Sequence, residues 1–446
     1  MKRALVVMCC LVALAVIVPL AATQAPPAAQ APGARGAAPG GRAGMQAPPR
    51  VVSPEIMPDH TVTFRLRAPD ATEVTVSGDW PNGRNVKMAK DAEGVWFVNV
   101  GPLTPEEWGY TFTVNGVSML DPGNANVRRD GQRYANIFFI DGTLSQNYQI
   151  RDIPHGNVNM VWYNSPTLKL NRRMYVYTPA GYEDNTLRYP VLYLLHGAGG
   201  DEDAWYNMGR AAMIMDGLIH DKKAKPMIVV MTNGNANQQM APGFGPVPRV
   251  AGAAPAPGAR GAAPGAPGAP PAAPGAPGAV GAPGAPGAPP AAPGAAPGAA
   301  AGRAGGGIGG GLFPESIVKD VIPYIERHYR VVRNKDNRAI AGLSMGGGHT
   351  LAATNAHPET FSYIGVFSMG TREDITDRLQ AIKKAGLKYY YVGCGKEDTI
   401  CVEGSKNLDA LLTKVGINHT FTFNEGGHTW ANWRIYLGEI APKLFQ

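Results

Sequence analysis

Between about His155 and the C-terminus, short apolar runs alternate with stretches of helical spacing, and this alternation dictates a layered α/β structure. Val191–Leu195 and Pro226–Met231 are continuous apolar runs, of the kind buried on both faces of a parallel sheet. Arg173–Thr178, Arg338–Leu343, Tyr363–Phe367, Tyr389–Val392 and Thr420–Phe423 read as further strands. Ala211–His220, Gly347–Asn355 and Asn407–Val415 read as helices. Glu315–Tyr329 has apolar residues at 317, 318, 321, 322, 325 and 329, and Pro323 is expected to kink that helix. The pattern predicts an α/β domain with a mostly parallel sheet over residues 150–446.

That pattern is broken at residues 241–311, where 21 of 71 positions are Gly and 17 are Pro. Few large apolar side chains are available there to offset the chain entropy lost on ordering, which predicts a disordered insert. GAPGAPGAPPAA at 281–292 repeats an earlier run, and each PPAA breaks the triplet period a collagen helix needs. Residues 26–50 share this texture and read as a disordered leader. Before them, Lys2 and Arg3 precede the apolar run Ala4–Leu20, with Thr23-Gln24-Ala25 as a cleavage site. Residues 1–25 therefore read as a signal peptide, which predicts a secreted or periplasmic product with no membrane span after its removal. Residues 1–50 and 241–311 hold eight cations and no acid, so subtracting them from the net +7 leaves −1 on the other 325 residues. A near-neutral folded part argues against nucleic acid as a partner.

Residues 51–145 have a different period. Thr61–Leu66, Glu73–Val76, Val95–Val100 and Tyr110–Val114 alternate apolar and polar residues, with turn residues such as Pro81-Asn82-Gly83 and Asn115-Gly116 between them. Short alternating strands at this spacing predict an all-β sandwich.

Gly342-Leu343-Ser344-Met345-Gly346 matches G-x-S-x-G between an apolar strand and a helix of small residues. A nucleophile on a sharp strand-to-helix turn needs neighbours without bulk, and the turn exposes its hydroxyl at the helix N-terminus. Serine needs a base. His428, in a Gly-flanked loop after the strand Thr420–Phe423, stands where the order Ser, acid, His would put it. His349 is too near Ser344 in sequence, and His419 precedes the strand. The acid that orients the imidazole is Asp398, after Tyr389–Val392, with Glu397 as its competitor. The N–H of Met345 is one expected oxyanion donor. The other comes from the loop Leu195-His196-Gly197-Ala198-Gly199-Gly200, at Ala198 or else Gly199, with His196 shaping the loop. No cluster of His and carboxylates has metal-ligand spacing, so neither metal nor cofactor is expected. Cys9 and Cys10 lie in the signal segment. Cys394 and Cys401, which flank Asp398, are left either as a disulfide that stiffens the acid-bearing loop or as two separate thiols.

With these motifs placed, residues 155–446 resemble the esterase-D-like branch of α/β-hydrolases. That branch includes the feruloyl and acetyl-xylan esterases of carbohydrate esterase family 1, enterochelin-type siderophore esterases and mycolyltransferases. The resemblance rests on RRMYVYTPAGYE at 172–183, YPVLYLLHGAGGDEDAW at 189–205, IPYIERHYRV at 322–331, RAIAGLSMGGGHTL at 338–351, YYVGCGKEDT at 390–399 and GGHTWANWRIYL at 426–437. It implies an α/β-hydrolase fold with nucleophile, acid and base at Ser344, Asp398 and His428, and an oxyanion donor at Ala198. Trp205 and Trp430, in the matched DEDAW and GGHTW stretches, are expected to line the substrate site. GDWPNG at 78–83 and LDPGNAN at 120–126 make residues 51–142 similar to the immunoglobulin-like early-set sandwich related to glycogen-binding modules. Trp80, Trp96 and Trp108 would then either stack on sugars or fill the core. The implied activity is a serine esterase acting on feruloyl or acetyl esters of plant polysaccharide. Three other readings stay open: a siderophore or other small-ester esterase, an acyltransferase to a sugar, and a carbohydrate-binding protein with an idle hydrolase domain.

Loop-closure entropy grows by only about 0.6 kcal/mol per doubling of length. Replacing residues 246–308 with a short Gly/Ser loop should therefore leave the melting temperature nearly unchanged, and unfolding would show the segment to be structural. The insert falls in a βα loop, on the sheet edge where α/β folds bind ligands. The same replacement should keep turnover of p-nitrophenyl acetate within about threefold, under about 0.7 kcal/mol in barrier. It should change turnover of acetylated xylan more, and paired assays check this.

Overall fold

The computed structural model describes residues 51–244 and 311–446. The signal segment, the leader and residues 245–310 of the insert lie outside the described residues. The N-terminal alternation builds two antiparallel sheets. In one, Val62–Arg67 and Val95–Val100 pair centrally, flanked by Glu55–Ile56 and Ala89–Lys90. In the other the order is Val86–Lys87, Val74–Gly78, Glu107–Val114, Arg133–Phe139, Val127–Asp130, and Val117–Met119 also pairs with Glu107–Val114. Alternate residues of both sheets meet in one core that includes Phe64, Val76, Phe112 and Phe138. Trp80 belongs to it, stacked on Phe64 at 5.4 Å, as does Trp96, whose Nε1–H donates to Ala68 O. Both are buried, so sugar stacking by Trp80 or Trp96 is excluded. Trp108 is half-buried, with its Nε1–H on Thr104 O.

The second part is built on an eight-stranded sheet. Its order is Asn157–Ser165, Leu170–Thr178, Ile228–Thr232, Val191–Leu195, Arg338–Leu343, Tyr363–Phe367, Tyr389–Gly395, His419–Asn424. The first two pairings are antiparallel and the remaining five parallel, so the sheet is mixed. The edge strand Asn157–Ser165 was not expected, because Asn157, Asn159 and Asn164 interrupt its apolar residues. The apolar central runs are buried throughout, and their alternate side chains feed two cores, one on each face. Ala211–His220 and Trp430–Ile440 cover one face. Met345–Ala356, Thr376–Lys384, Val402–Val415 and the segment from Leu312 to His328 cover the other.

The expected kinked helix before the elbow is three pieces: Leu312–Ser316, a wide turn at Ile317–Val321, and Ile322–His328. In the wide turn the Ile322 N–H reaches back five residues to Ile317 O. Pro323 has no N–H to give and its ring crowds the preceding turn, and widening that turn accommodates it. The insert also starts later than its composition implied. Ala241 is fully buried, and its N–H donates to Glu202 Oε1 at 2.8 Å. Among the described residues no helix is long and apolar enough to cross a membrane.

His349, one turn into the helix Met345–Ala356, is buried against Phe313, with no hydrogen-bond partner on its Nδ1. Burial, helped by nearby His196, holds its pKa down to about 3. An unfolded histidine titrates near 6.5. Between those values the unfolded chain takes up a proton that the native chain refuses, so His349 lowers stability as pH falls through that window, by up to about 1.4 kcal/mol per pH unit. The stability of H349Q relative to the unaltered chain should therefore improve steadily from pH 7 to pH 4. Urea unfolding at both pH values checks it, and a pH-independent difference would exclude a neutral buried His349.

Candidate active site

Because neighbouring strands from Val191–Leu195 to His419–Asn424 run parallel, the residues that follow each strand share one edge of the sheet. Ser344, Asp398 and His428 all lie in connections leaving that edge.

Ser344 sits between the strand Arg338–Leu343 and the helix Met345–Ala356, with φ 51° and ψ −117°. This is a sparsely populated conformation for a residue with a Cβ, and it persists because the surroundings fix it. The Ser344 N–H donates to Phe367 O at 2.8 Å, and its carbonyl accepts from Gly348 N–H. The helix start is pressed on the neighbouring strand, so that a Cβ at Gly346 would lie 2.5 Å from His196 O. The loop after Val191–Leu195 passes equally close. A Cβ at Gly197 would meet Ser344 Cβ at 3.2 Å and Leu343 Cδ1 at 2.5 Å. Beyond it Ala198 is exposed and Gly199 has φ +85°. Met345 holds the first helical position, where no carbonyl four residues back within the helix can take its N–H. The arrangement can offer backbone donors from two sides of the serine hydroxyl.

His196 braces this loop from inside. Its Nδ1 lies 2.7 Å from Gly197 O and its Nε2 accepts the Gly234 N–H at 2.8 Å, which sets a neutral tautomer with the proton on Nδ1. Burial lowers its pKa.

Asp398 is buried, while its competitor Glu397 is exposed. The Asp398 Oδ2 accepts a 2.8 Å hydrogen bond from His428 Nδ1. That bond leaves His428 Nε2 as the acceptor of the ring. The imidazole is half-buried and meets the Trp433 ring edge-on at 5.0 Å. Trp433 in turn donates its Nε1–H to Ser368 Oγ, on the residue after the strand that neighbours Ser344. His419 pairs with Asp409 at the start of the strand His419–Asn424, the end away from this group.

Two expectations need correction, and one open alternative is decided. Trp205 is fully buried, donates its Nε1–H to Leu195 O and meets Trp430 edge-on at 5.3 Å. It supports Trp430, which is half-buried, and cannot itself touch a substrate. Cys394 and Cys401 are both free and buried, so they form no disulfide. Cys394 is the penultimate residue of the strand Tyr389–Gly395, with its Sγ on Gly395 O, and burial pushes its thiol up to about 11. Finally, a cluster with metal-donor spacing does exist among the described residues. One donor atom each of Asp398, Cys401 and His428 lie within 4.8 Å of one another. The hydrogen bond between His428 Nδ1 and Asp398 Oδ2 links two of the three.

Two groups of residues were missed. The buried guanidinium of Arg129 reaches the loop at 201–203, and that of Arg434, on the helix after His428, reaches Glu106 and Glu107. Their partners lie 72 and 328 residues away in sequence, beyond any local signal.

A family model described as a putative esterase matches residues 165–257 and 309–444. An endo-1,4-beta-xylanase/feruloyl esterase of Xylanibacter ruminicola is 30% identical over 392 residues, covering 86% of this chain. The chain spans only 44% of that relative's length. An acetyl esterase of Caldicellulosiruptor saccharolyticus is 24% identical over 28% of this chain and 60% of its own. Among solved structures, the enterobactin esterase of Shigella flexneri superposes with a TM-score of 0.56 at 15% identity, covering 86% of this chain and 93% of that one. That likeness shows a common fold.

Loss of the carboxylate that holds the imidazole tautomer costs roughly 10⁴-fold in turnover in a serine triad. D398N should show a loss of that order in ester hydrolysis, and E397Q little change. Steady-state assays of the two variants check the choice, and a larger loss in E397Q would reverse it.

Proposed function

The chain belongs to the putative esterase family, and from that membership we propose that it is a serine carboxylic ester hydrolase acting through an acyl-enzyme. The observation that carries this reading is the strained Ser344 at a strand-to-helix turn, on the same sheet edge as the hydrogen-bonded Asp398–His428 pair. In the proposed reaction Ser344 Oγ attacks the ester carbonyl while His428 Nε2 takes its proton. Asp398 holds the ring and offsets the charge that forms on it. The backbone N–H groups of Met345 and Ala198 receive the oxyanion. His428 then returns the proton to the leaving alcohol, and the same base activates water to release the acid.

For the substrate we propose feruloyl or acetyl esters on plant polysaccharide or its fragments. Support comes from the feruloyl esterase activity for which the Xylanibacter relative is named. Trp430, half-buried beside His428, is the aromatic surface proposed to meet the acyl group or sugar. Residues 51–145 are proposed to be an early-set-type module, and residues 150–446 the hydrolase domain. Export to the periplasm or outside the cell is proposed from the composition of residues 1–25 alone.

S344A should lower turnover of p-nitrophenyl acetate by roughly 10³–10⁶-fold with the fold retained. Comparable turnover in that variant would remove the mechanism. A panel of methyl ferulate, acetylated xylan and a catecholate siderophore ester tests the substrate class, and a preference for the third would replace the polysaccharide reading.

A further inference from the structure

We propose that Arg129, on the N-terminal sheets, is a positioning residue for the oxyanion loop, and that the turn at Gly131 beside it fixes that loop from outside. The inference rests on the serine-esterase reading, in which the Ala198 N–H binds the oxyanion.

The loop has little of its own to hold it. Gly197, Gly199 and Gly200 surround Ala198, and glycine backbone is the freest to move. A backbone donor contributes only when it stands about 2.7–3.1 Å from the position the oxyanion will occupy. His196 braces the loop at Gly197, and Asn235 Nδ2 donates to Gly200 O at 2.8 Å; the rest of what locates Ala198 is whatever grips the residues that follow, Asp201-Glu202-Asp203, all of them buried.

Arg129 supplies one grip. It lies on the strand Val127–Asp130, and its side chain is 5% exposed. Its Nη1 and Nη2 donate to Asp201 Oδ2 and Oδ1 at 2.8 and 2.7 Å, a bidentate fork. Its Nε donates to Asp203 Oδ2 at 2.9 Å. The same guanidinium donates to Gly131 O, so it ties the hairpin turn to the loop. The turn itself touches the loop. Gly131 has φ +60°, and a Cβ there would lie 2.4 Å from Gly199 O, one residue from the proposed donor. Only a residue without a side chain lets the hairpin seat on that carbonyl.

The second grip comes from the other side. Glu202 accepts from Arg173 Nε at 2.8 Å, from Asn233 Nδ2 at 3.0 Å and from the Ala241 N–H. Alternate acids thus pull the loop toward opposite bodies, Asp201 and Asp203 to the N-terminal sheets and Glu202 to the eight-stranded sheet. Arg129 is also the cation that lets two neighbouring carboxylates stay buried together.

The experiment uses the full chain carrying G131A, R129K or R129M, beside the unaltered chain and S344A. It measures kcat and KM for p-nitrophenyl acetate, affinity for a phenylboronic acid that forms a tetrahedral adduct on serine, and thermal unfolding. G131A and R129K should lower kcat about 10–100-fold and weaken boronate binding by a similar factor, with KM within about threefold. Lysine keeps the charge and loses the fork, so R129K should retain more activity than R129M. Should R129M fail to fold, G131A carries the test, since it removes no charged group. Unchanged kcat in folded G131A and R129K, or a fall in kcat matched by loss of folded protein, would overturn the inference while Ser344-dependent turnover upholds the esterase reading. Turnover indifferent to S344A would overturn the reading and the inference together.

Discussion

Buried charge at the junction between the N-terminal sheets and the α/β part grips two segments beside the sheet edge that carries Ser344, Asp398 and His428. Arg434, on the helix Trp430–Ile440, donates to Glu106 Oε1 at 2.6 Å, to Glu107 Oε1 at 3.0 Å and to Met208 O. Arg129 reaches the other way, from the N-terminal sheets to Asp201 and Asp203. Each of these side chains is buried or nearly so. Taking an ion out of water costs several kcal/mol, and only well-placed opposite charges and hydrogen bonds offset that cost. Such pairs add little net stability, but a displaced partner leaves an uncompensated charge. An apolar contact would tolerate sliding by an ångström, whereas a bidentate fork does not. One of these clusters bears on the helix after His428 and the other on the loop after Gly197.

The electrostatics inside the second cluster are unequal. Burial, the hydrogen bond to Asp201 and the charge of Asp201 raise the pKa of Asp203. Burial raises that of Asp201 too, but the Arg129 fork and the bond with Asp203 outweigh it and leave Asp201 below the usual carboxylate range. The fork therefore holds Asp201 as the firm anion of the pair. Asn207 Nδ2 gives Asp203 a further donor, at 2.9 Å.

Much of the site was legible because its chemistry is local. G-x-S-x-G after an apolar strand, a Gly-flanked histidine after a late strand and an acid after the strand before it can each be read within about ten residues. The fully apolar central strands were legible for the same reason. Features set by distant partners were not. Trp205 reads in sequence like any aromatic residue near a glycine loop, and only the packing shows its indole buried with its N–H spent on Leu195 O. Trp80 sits in a turn-rich stretch, yet it folds back onto Phe64. Arg129 and Arg434 look like ordinary charged residues until the chain brings acids from far away to meet them. The edge strand Asn157–Ser165 went unseen because asparagines interrupt it and apolar Met160 and Trp162 lie on its exposed side, which blurs the apolar–polar alternation of a half-buried strand.

A similar grip holds both roots of the long low-complexity insert in the α/β part. The insert leaves the strand Ile228–Thr232 through residues 233–241, which are themselves fastened. Arg172, fully buried, donates to the carbonyls of Asn233, Asn235 and Ala236. Glu202 accepts from Asn233 and from the Ala241 N–H. The chain re-enters at Leu312–Ser316, where Phe313 is buried against the Arg172 guanidinium and against His349. Both roots of the insert thus close on one cationic side chain. The entropy of whatever chain joins them varies only with the logarithm of its length. A constraint that weak, acting across roots held by buried hydrogen bonds, leaves the position of residues 201–203 to the charges that grip them.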